Sequence, residues 1–355
     1  MSEQETGSTT AQPPVRESSP EAEVLEPMSG SGRDRSSSFL GGLMSSSVGR
    51  NLGLVVALFA LCLVGVATAG EQFASIDNAL TILRLAAVIG VVSVGMTFVI
   101  TGGGIDLSVG AIVALSSVWA TTLATQSLAR GNHWTVMVLV AVLVGLGCGL
   151  INGLLVAYGG VVPFIATLAM FTMARGLALW LSDKTPVSLF SLDGVRWFGN
   201  GEVIGIPSAA IVFLAITAFA WVLLNRTRYG RYVVATGGNR EAARIAGVKV
   251  PWIIFSVYVL SGICAALAAI LVSGRLSSAS PVIGNLYELD AIAAVVIGGT
   301  ALAGGRATIV GTALGVITFA LIFNLMTLMD LAVEIQQITK GVIIVAAVLL
   351  QRRQT

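Results

Sequence analysis

Charged residues are scarce in this sequence. Only 11% of its 355 residues are Asp, Glu, Lys or Arg, whereas 55% are hydrophobic. An ordinary water-soluble domain carries about 25% charged residues. The apolar residues fall in repeated blocks of about 20, the length at which a helix crosses the hydrocarbon core of a bilayer. This composition excludes a water-soluble fold and predicts an all-α, polytopic transmembrane helical bundle.

The residues that build metal and redox sites are also few. There is one histidine, His133, and the three cysteines, Cys62, Cys148 and Cys264, lie in different apolar blocks without metal-site or disulfide spacing. We therefore expect neither a metal site nor catalytic residues. The net charge of +2 is too small to indicate a nucleic-acid partner.

A phosphate-binding loop is missing as well. No Gly-x-x-x-x-Gly-Lys-Ser/Thr motif occurs, and Gly237-Gly238-Asn239 lacks the required lysine. We therefore expect no cofactor on this chain. If ATP drives its function, another chain must bind the ATP and its magnesium.

Two regions differ sharply in composition. Residues 1–47 are rich in Ser, Glu, Pro and Gly and have no apolar period, which predicts a disordered tail. Residues 48–355 form the membrane domain, with glycine-rich interruptions near 102–106 and 298–305 that indicate broken helices. The apolar runs predict about ten crossings: 51–69, 79–101, 106–126, 135–157, 163–181, 206–224, 252–272, 289–302, 307–329 and 333–350.

Basic residues set the expected orientation. The segment 226–250 contains one acid, Glu241, and six basic residues: Arg226, Arg228, Arg231, Arg240, Arg244 and Lys249. The positive-inside rule places such a loop in the cytoplasm. With ten crossings, both termini are then cytoplasmic, and the 182–205 loop faces outward.

The same loop predicts a short capped helix from Arg240 to Ala246. Asn239 is a good N-cap, and Gly247 suits the left-handed position that ends a helix. Two turns are unstable alone in water, so another element must hold them. The face formed by Ala242, Ile245 and Ala246 fits a groove on a soluble partner. The alternative is a basic loop that only fixes topology or touches anionic lipid.

Glycines recur at intervals of four in two runs, Gly145/Gly149/Gly153 and Gly311/Gly315. Such faces favour close helix packing, with a hinge role as the alternative. A weak echo between 101–110 and 297–305 indicates either a duplicated half or a chance likeness of glycine-rich segments.

Three stretches resemble the signatures of the ribose, xylose and galactose type sugar permeases of bacterial ABC importers. They are Gly103–Gly110, Gly237–Gly247 and Tyr287–Thr312, and together they anchor a match from about Ala79 to Leu350. The resemblance implies a multi-pass protein of the bacterial cell membrane that translocates a small sugar, a ribose-like pentose or a hexose. The alternatives are a permease for branched-chain amino acids or nucleosides, or a self-sufficient secondary transporter.

The resemblance also implies partners. These are a second permease copy, a cytoplasmic ABC ATPase that hydrolyses ATP, an extracytoplasmic sugar-binding protein, and the membrane lipid around the permease. The chain itself is then not an enzyme, and its 239–247 segment corresponds to the helix that contacts the ATPase. The expected ATPase-coupling residues are Gly238, Asn239, Arg240, Glu241, Ala242, Ala243, Arg244 and Gly247.

Polar residues within apolar runs are candidates for the translocation pathway because burying them in a membrane is costly. Asp106 either lines the pathway or caps the following helix. Glu288 and Asp290 are either solvated at the outer boundary or in contact with substrate or binding protein. Asn152 and Asn324 either join helices or contact sugar. The full candidate set is Asp106, Ser108, Asn152, Glu288, Asp290 and Asn324.

Two isolated arginines, Arg84 and Arg175, also fall within apolar runs. Each is expected to face the protein interior, to snorkel to an interface or to pair with a carboxylate. A membrane hydrolase built on Asp106 and Asp290 would need a motif context that the sequence lacks.

Overall fold

The computed structural model describes residues 47–189 and 193–352. The predicted disordered tail, 1–47, lies outside this part of the chain except for Ser47, at which the first helix begins. Helices dominate the described residues, which confirms the all-α class. The first helices are α1 (Ser47–Phe73), α2 (Ile76–Thr101), α3 (Val109–Thr121), α4 (Leu123–Gly131), α5 (Thr135–Ala157) and α6 (Pro163–Leu181).

The second part of the chain has the same character. Its helices are α7 (Asp193–Asn200), α8 (Ser208–Arg226), α9 (Arg228–Gly238), α10 (Arg240–Ile245), α11 (Val250–Leu276), α12 (Tyr287–Ile297), α13 (Ile309–Leu328) and α14 (Val333–Arg352). Four two-residue strands are β1 (Val187–Ser188), β2 (Glu202–Val203), β3 (Ile206–Pro207) and β4 (Ser278–Ala279). They form two antiparallel pairs, β1 with β4 and β2 with β3.

Seven helices of the described chain are long and apolar enough to span a membrane: α1 from Asn51, α2, α5, α6, α8, α11 and α13. The pair α3–α4, which bends by 55°, would make eight. The predicted eighth crossing, 289–302, is wrong. Helix α12 there has 11 residues, about 17 Å at 1.5 Å per residue, whereas the hydrocarbon core is about 30 Å thick.

Both predicted helix breaks are present. Helix α2 ends at Thr101 and α3 begins at Val109, while α12 ends at Ile297 and α13 begins at Ile309. Glycines with positive φ turn the chain in each break, Gly103 in the first and Gly299, Gly304 and Gly305 in the second. The interruptions therefore follow from backbone conformations that glycine adopts without strain.

Helices α2 and α11 lie at the centre of the bundle, and α1 lies at its edge. Buried residues make up 78% of the most apolar stretch of α2 and 67% of that of α11, against 6% for α1. Apolar side chains of α1 such as Phe59 and Val56 are more than half exposed. This is the arrangement expected when lipid covers the outer helices.

The glycine faces pack closely, as predicted. A Cβ at Gly145 or Gly149 on α5 would clash with backbone of α11, at Gly262 and Tyr258 respectively. Gly311 on α13 meets Gly298 at the end of α12 in the same way. These contacts hold α5 closely against α11, and α13 closely against the end of α12.

Candidate functional site

The predicted capped helix in the basic loop is present as α10. Its N-cap, Asn239, accepts a hydrogen bond on Oδ1 from the N–H of Ala242 at 2.9 Å. At its other end Gly247 has φ 84° and donates its N–H to the carbonyl oxygen of Arg244 at 3.0 Å. Both terminal motifs therefore confirm the prediction made from the residue types.

Helix α10 is held in place by contacts that could not be predicted from the sequence. The preceding helix α9, which was not predicted, is capped by Thr227, whose side chain accepts from the N–H of Gly230. Ala243 is only 4% exposed and packs inward, so it anchors the helix instead of facing a partner. Arg240 Nη2 donates to the carbonyl oxygen of Gly103 at 3.1 Å, within the first helix break.

The remaining surface of α10 is open. Ile245 is 76% exposed, and Ala242 and Ala246 are also exposed. An ion pair between Glu241 and Arg244, 2.6 Å between Oε1 and Nη2, lies beside them. The Arg244 guanidinium lowers the pKa of the Glu241 carboxyl, and the same hydrogen bond raises the pKa of Arg244. A small apolar face with a charged rim therefore points away from the rest of the chain, as predicted.

The two helix breaks meet each other at α9. We call this contact the glycine junction; it comprises residues 102–104, 237–238 and 304–305. The N–H of Gly305 donates to the carbonyl oxygen of Thr101 at 2.9 Å. A Cβ at Gly237 would overlap that same carbonyl oxygen, and one at Gly304 would lie 3.1 Å from the Cα of Gly103. Backbone packs directly on backbone at this point.

The junction connects α10 to the membrane helices. Four helices, α2, α3, α12 and α13, end or begin at the two breaks, and α9 leads into α10 through Asn239. Packed interfaces of this kind transmit displacement instead of absorbing it. This geometry is suited to mechanical coupling.

Three pathway candidates form one buried polar cluster. Asp106 accepts from the N–H and the hydroxyl of Ser108 on Oδ1, and from the hydroxyl of Ser261 on α11 at 2.8 Å on Oδ2. Asn152 on α5 donates to the Ser108 hydroxyl at 2.9 Å. All four residues are at most 1% exposed. The cluster ties the first break to α5 and α11.

Asp106 does not cap α3 as the capping interpretation required, because the N–H that it binds belongs to Ser108, the residue before the helix, so the bond closes a turn that leads into α3. Both carboxylate oxygens of Asp106 are hydrogen-bonded, as a buried acid requires. A role in the pathway stays a prediction. Asn152 confirms the predicted joining of helices.

The solvated interpretation of Glu288 and Asp290 is wrong, because they are 8% and 4% exposed. Asp290 Oδ2 accepts from Lys340 Nζ of α14 at 2.8 Å. Glu288 Oε2 lies against the start of α3, where a Cβ at Gly110 would touch it. Both acids fall in the first turn of α12, whose burial the sequence did not reveal.

The remaining polar candidates, Asn324, Arg84 and Arg175, have partners. Asn324 Nδ2 donates to Asn78 Oδ1 at 2.8 Å, joining α13 to α2 as predicted. Arg84 forms an ion pair with Glu202. Arg175 donates to backbone carbonyl oxygens, among them that of Ile283 at 2.9 Å.

Sequence reasoning missed Ser261, Asn78 and Lys340 as partners in these interactions. Each is a polar residue in or beside an apolar run, the signal that identified Asn152. The signal shows that a partner is needed but not which distant helix supplies it.

The chain matches the family model described as "Branched-chain amino acid transport system / permease component" over residues 78–348. It is 42% identical to the ribose import permease protein RbsC of Bacillus subtilis, across 86% of this chain and 94% of the relative.

Two relatives from Escherichia coli carry other names. The D-allose transport system permease protein AlsC is 36% identical, covering 85% of this chain and 89% of the relative. The galactose/methyl galactoside import permease protein MglC is 37% identical, covering 78% and 87%. No solved structure matches significantly. The chain therefore belongs to the family of importer permeases that this model describes, alongside the sugar permeases that it resembles.

Proposed function

We propose that this chain is the membrane-spanning subunit of an ATP-driven importer for a small sugar, a ribose-like pentose or a hexose. The observation that carries the proposal is the connection of the exposed Ile245 face, through Arg240 and the glycine junction, to both helix breaks. Two of the similar proteins are named for ribose and allose, which favours a sugar over a branched-chain amino acid.

The energy source is a separate chain in this proposal. The sequence contains no phosphate-binding loop, so ATP and magnesium bind an ABC ATPase on the side of α10. The six basic residues of 226–250 support a cytoplasmic position for that side, by the positive-inside rule. The chain works as a pair of copies that receives sugar from an extracytoplasmic binding protein.

Motion of α10 is the central step. When the ATPase changes shape, it displaces the Ile245 face, and Arg240 carries this displacement to Gly103. Gly103 then moves relative to the Asp106 end of the same break, which is fixed to α5 and α11 by Asn152 and Ser261. The pathway opens alternately to the two sides of the membrane as the broken helices shift.

Reconstitution tests this function. Proteoliposomes that contain the chain, its ATPase and its binding protein should accumulate radiolabelled D-ribose only when ATP is present on the ATPase side. Omission of either partner should abolish uptake. Uptake by the chain alone would establish a secondary transporter instead, and ATP-dependent uptake of L-leucine but not D-ribose would assign the chain to amino acids.

A further inference from the structure

A mainly apolar cavity of about 190 Å³ with four polar side chains lies between helices α2, α11, α12, α13 and α14. Its aliphatic wall comes from α2 and α13. The side chains that give it chemical character are Arg275, Tyr287, Asp290, Phe319, Phe323 and Lys340. Concave sites with an apolar wall and a few placed polar groups are typical of small-molecule sites.

The cavity lies at the ends of α11 and α12 that are remote from the glycine junction. Arg275 is in the last turn of α11, and Asp290 is in the first turn of α12, whose other end leads into the second break. With α10 on the cytoplasmic side, as the proposed function has it, the cavity is in the outer half of the membrane domain. A solute released by an extracytoplasmic binding protein reaches this half first.

Hydrogen-bonding groups in the cavity are incompletely used. Asp290 Oδ1 is buried and has no hydrogen-bond partner among the described residues, while Oδ2 is bound to Lys340. A buried carboxylate oxygen without a hydrogen-bond partner is destabilising. We therefore expect a ligand or a water molecule to donate to Asp290 Oδ1 when the protein functions. Lys340 has three N–H donors and Arg275 has five, which supply donors beside this acceptor.

An aromatic wall adjoins these groups. The rings of Phe319 and Phe323 have centroids 4.6 Å apart, and Lys340 Nζ lies 4.6 Å from the centroid of Phe323. A sugar ring presents hydroxyl groups on its edge and C–H groups on its faces. The combination of aromatic faces with adjacent charged donors and an acceptor matches both parts of such a ligand.

We propose that this cavity holds the transported sugar on its way through the membrane, and we call it the sugar cavity. One sugar hydroxyl donates to Asp290 Oδ1, another accepts from Lys340 or Arg275, and a C–H face packs on Phe323. Because Lys340 already neutralises Asp290, the cavity offers hydrogen bonds but no free negative charge for the ammonium group of an amino acid. The inference rests on the proposed function for the identity of its ligand.

Protection from chemical labelling tests occupancy without any partner protein. In the full chain, Cys62, Cys148 and Cys264 are replaced by Ala, and Ala320→Cys then places one thiol in the wall of the sugar cavity. D-Ribose should slow modification of this thiol by a small methanethiosulfonate at least about threefold. Ala313→Cys, on the same helix but outside the cavity, is the matched control and should react at a rate independent of ribose. Asp290→Asn in the Ala320→Cys chain should remove the protection.

Labelling of Ala320→Cys that is unaffected by D-ribose, or that only L-leucine slows, would overturn the sugar cavity. A second measurement tests the sugar cavity even if the cysteine variants fail to fold. In the complete reconstituted importer, Asp290→Asn and Phe323→Ala should each lower D-ribose uptake, Asp290→Asn by at least about tenfold. Glu202→Gln, which alters the exposed ion pair with Arg84, should leave uptake unchanged.

The two proposals fail in different ways. Absence of ATP-dependent ribose uptake by the natural sequence would refute the proposed function, whatever the labelling result. Normal uptake by the natural sequence together with unchanged uptake by Asp290→Asn and Phe323→Ala would refute the sugar cavity alone.

Discussion

The N–H of Gly305 donates a hydrogen bond to the carbonyl oxygen of Thr101 across 2.9 Å. These residues are about 200 positions apart and belong to different helix breaks. Their bond joins the end of α2 to the loop after α12, beneath the last turn of α9. The glycine junction thus connects α10, through α9, to both broken-helix regions.

Substitution of a junction glycine should be tolerated at one position and not at its neighbour. Gly237→Ala places a Cβ on the Thr101 carbonyl oxygen, whereas a Cβ at Gly238 meets only the Cα of Gly305 at 3.9 Å. Overpacking of this kind costs about 1–3 kcal/mol. Gly237→Ala should therefore lower the thermal unfolding midpoint of the purified chain in detergent.

Gly238→Ala is the matched control and should leave the midpoint unchanged or raise it slightly, because alanine favours a helix over glycine. Equal midpoints for the two variants would show that backbone contact at the junction does not stabilise the bundle.

A charge on the exposed face of α10 should prevent docking of the ATPase. Ile245→Asp adds a charge to a side chain that is 76% exposed in the isolated chain, so folding should be unaffected. A desolvated, unpaired charge at an interface is strongly unfavourable. Co-purification of the ATPase with the variant should fall at least about tenfold.

Ile204→Asp provides the control for Ile245→Asp, because Ile204 is 97% exposed in the turn between β2 and β3, away from α10. It should retain the ATPase. If both variants retained the ATPase equally, α10 would not be part of the interface with the ATPase.

Loss of the Asp106 carboxylate should destabilise the chain more than loss of either partner. Asp106→Ala leaves the hydroxyls of Ser108 and Ser261 without their acceptor, and each unsatisfied buried group costs about 1–3 kcal/mol. Ser261→Ala removes one bond only. Unfolding midpoints in detergent should decrease in the order natural chain, Ser261→Ala, Asp106→Ala, whereas unchanged stability with lost uptake would assign Asp106 to the pathway alone.

The ion pair beside Ile245 should contribute stability only above acidic pH. The Arg244 guanidinium depresses the folded-state pKa of the Glu241 carboxyl below its unfolded value of about 4.3. The contribution is then present above about pH 4.3 and is lost as the pH falls through the folded pKa. The difference in unfolding midpoint between the natural chain and Glu241→Gln should be small, since the pair is exposed. It should be constant from about pH 6 to 8 and should shrink as the pH falls below about 4.3. A difference that grows on acidification would contradict this account.

Local features of the fold were predictable from the sequence. Asn239 and Gly247 defined α10 because capping depends on residue type at fixed spacing, and the glycine clusters at 102–104 and 298–299 identified both breaks. The apolar blocks gave the class and most spans. Helix α12 was misjudged as a crossing, because apolar residues continue past Ile297 into a break whose geometry depends on contact with α13 and α9.

Long-range relationships were not predictable from local pattern. Asp290 and Lys340 are 50 residues apart, and each alone is an isolated charge near an apolar run. The local pattern indicates that each charge needs a partner but not where that partner lies, so solvation was one of the two interpretations left open for Asp290. Likewise the echo between the two breaks was visible, whereas their direct contact at Gly237 required the path of α9.

Photocrosslinking at Ile245 tests the coupling claim most directly. p-Benzoyl-L-phenylalanine would replace Ile245 in one chain and Ile204 in another, each produced in cells together with its ATPase subunit and irradiated in intact membranes. The account predicts a covalent adduct with the ATPase from position 245 and none from position 204. Adducts from position 204 only, or from neither position while the ATPase co-purifies, would contradict it.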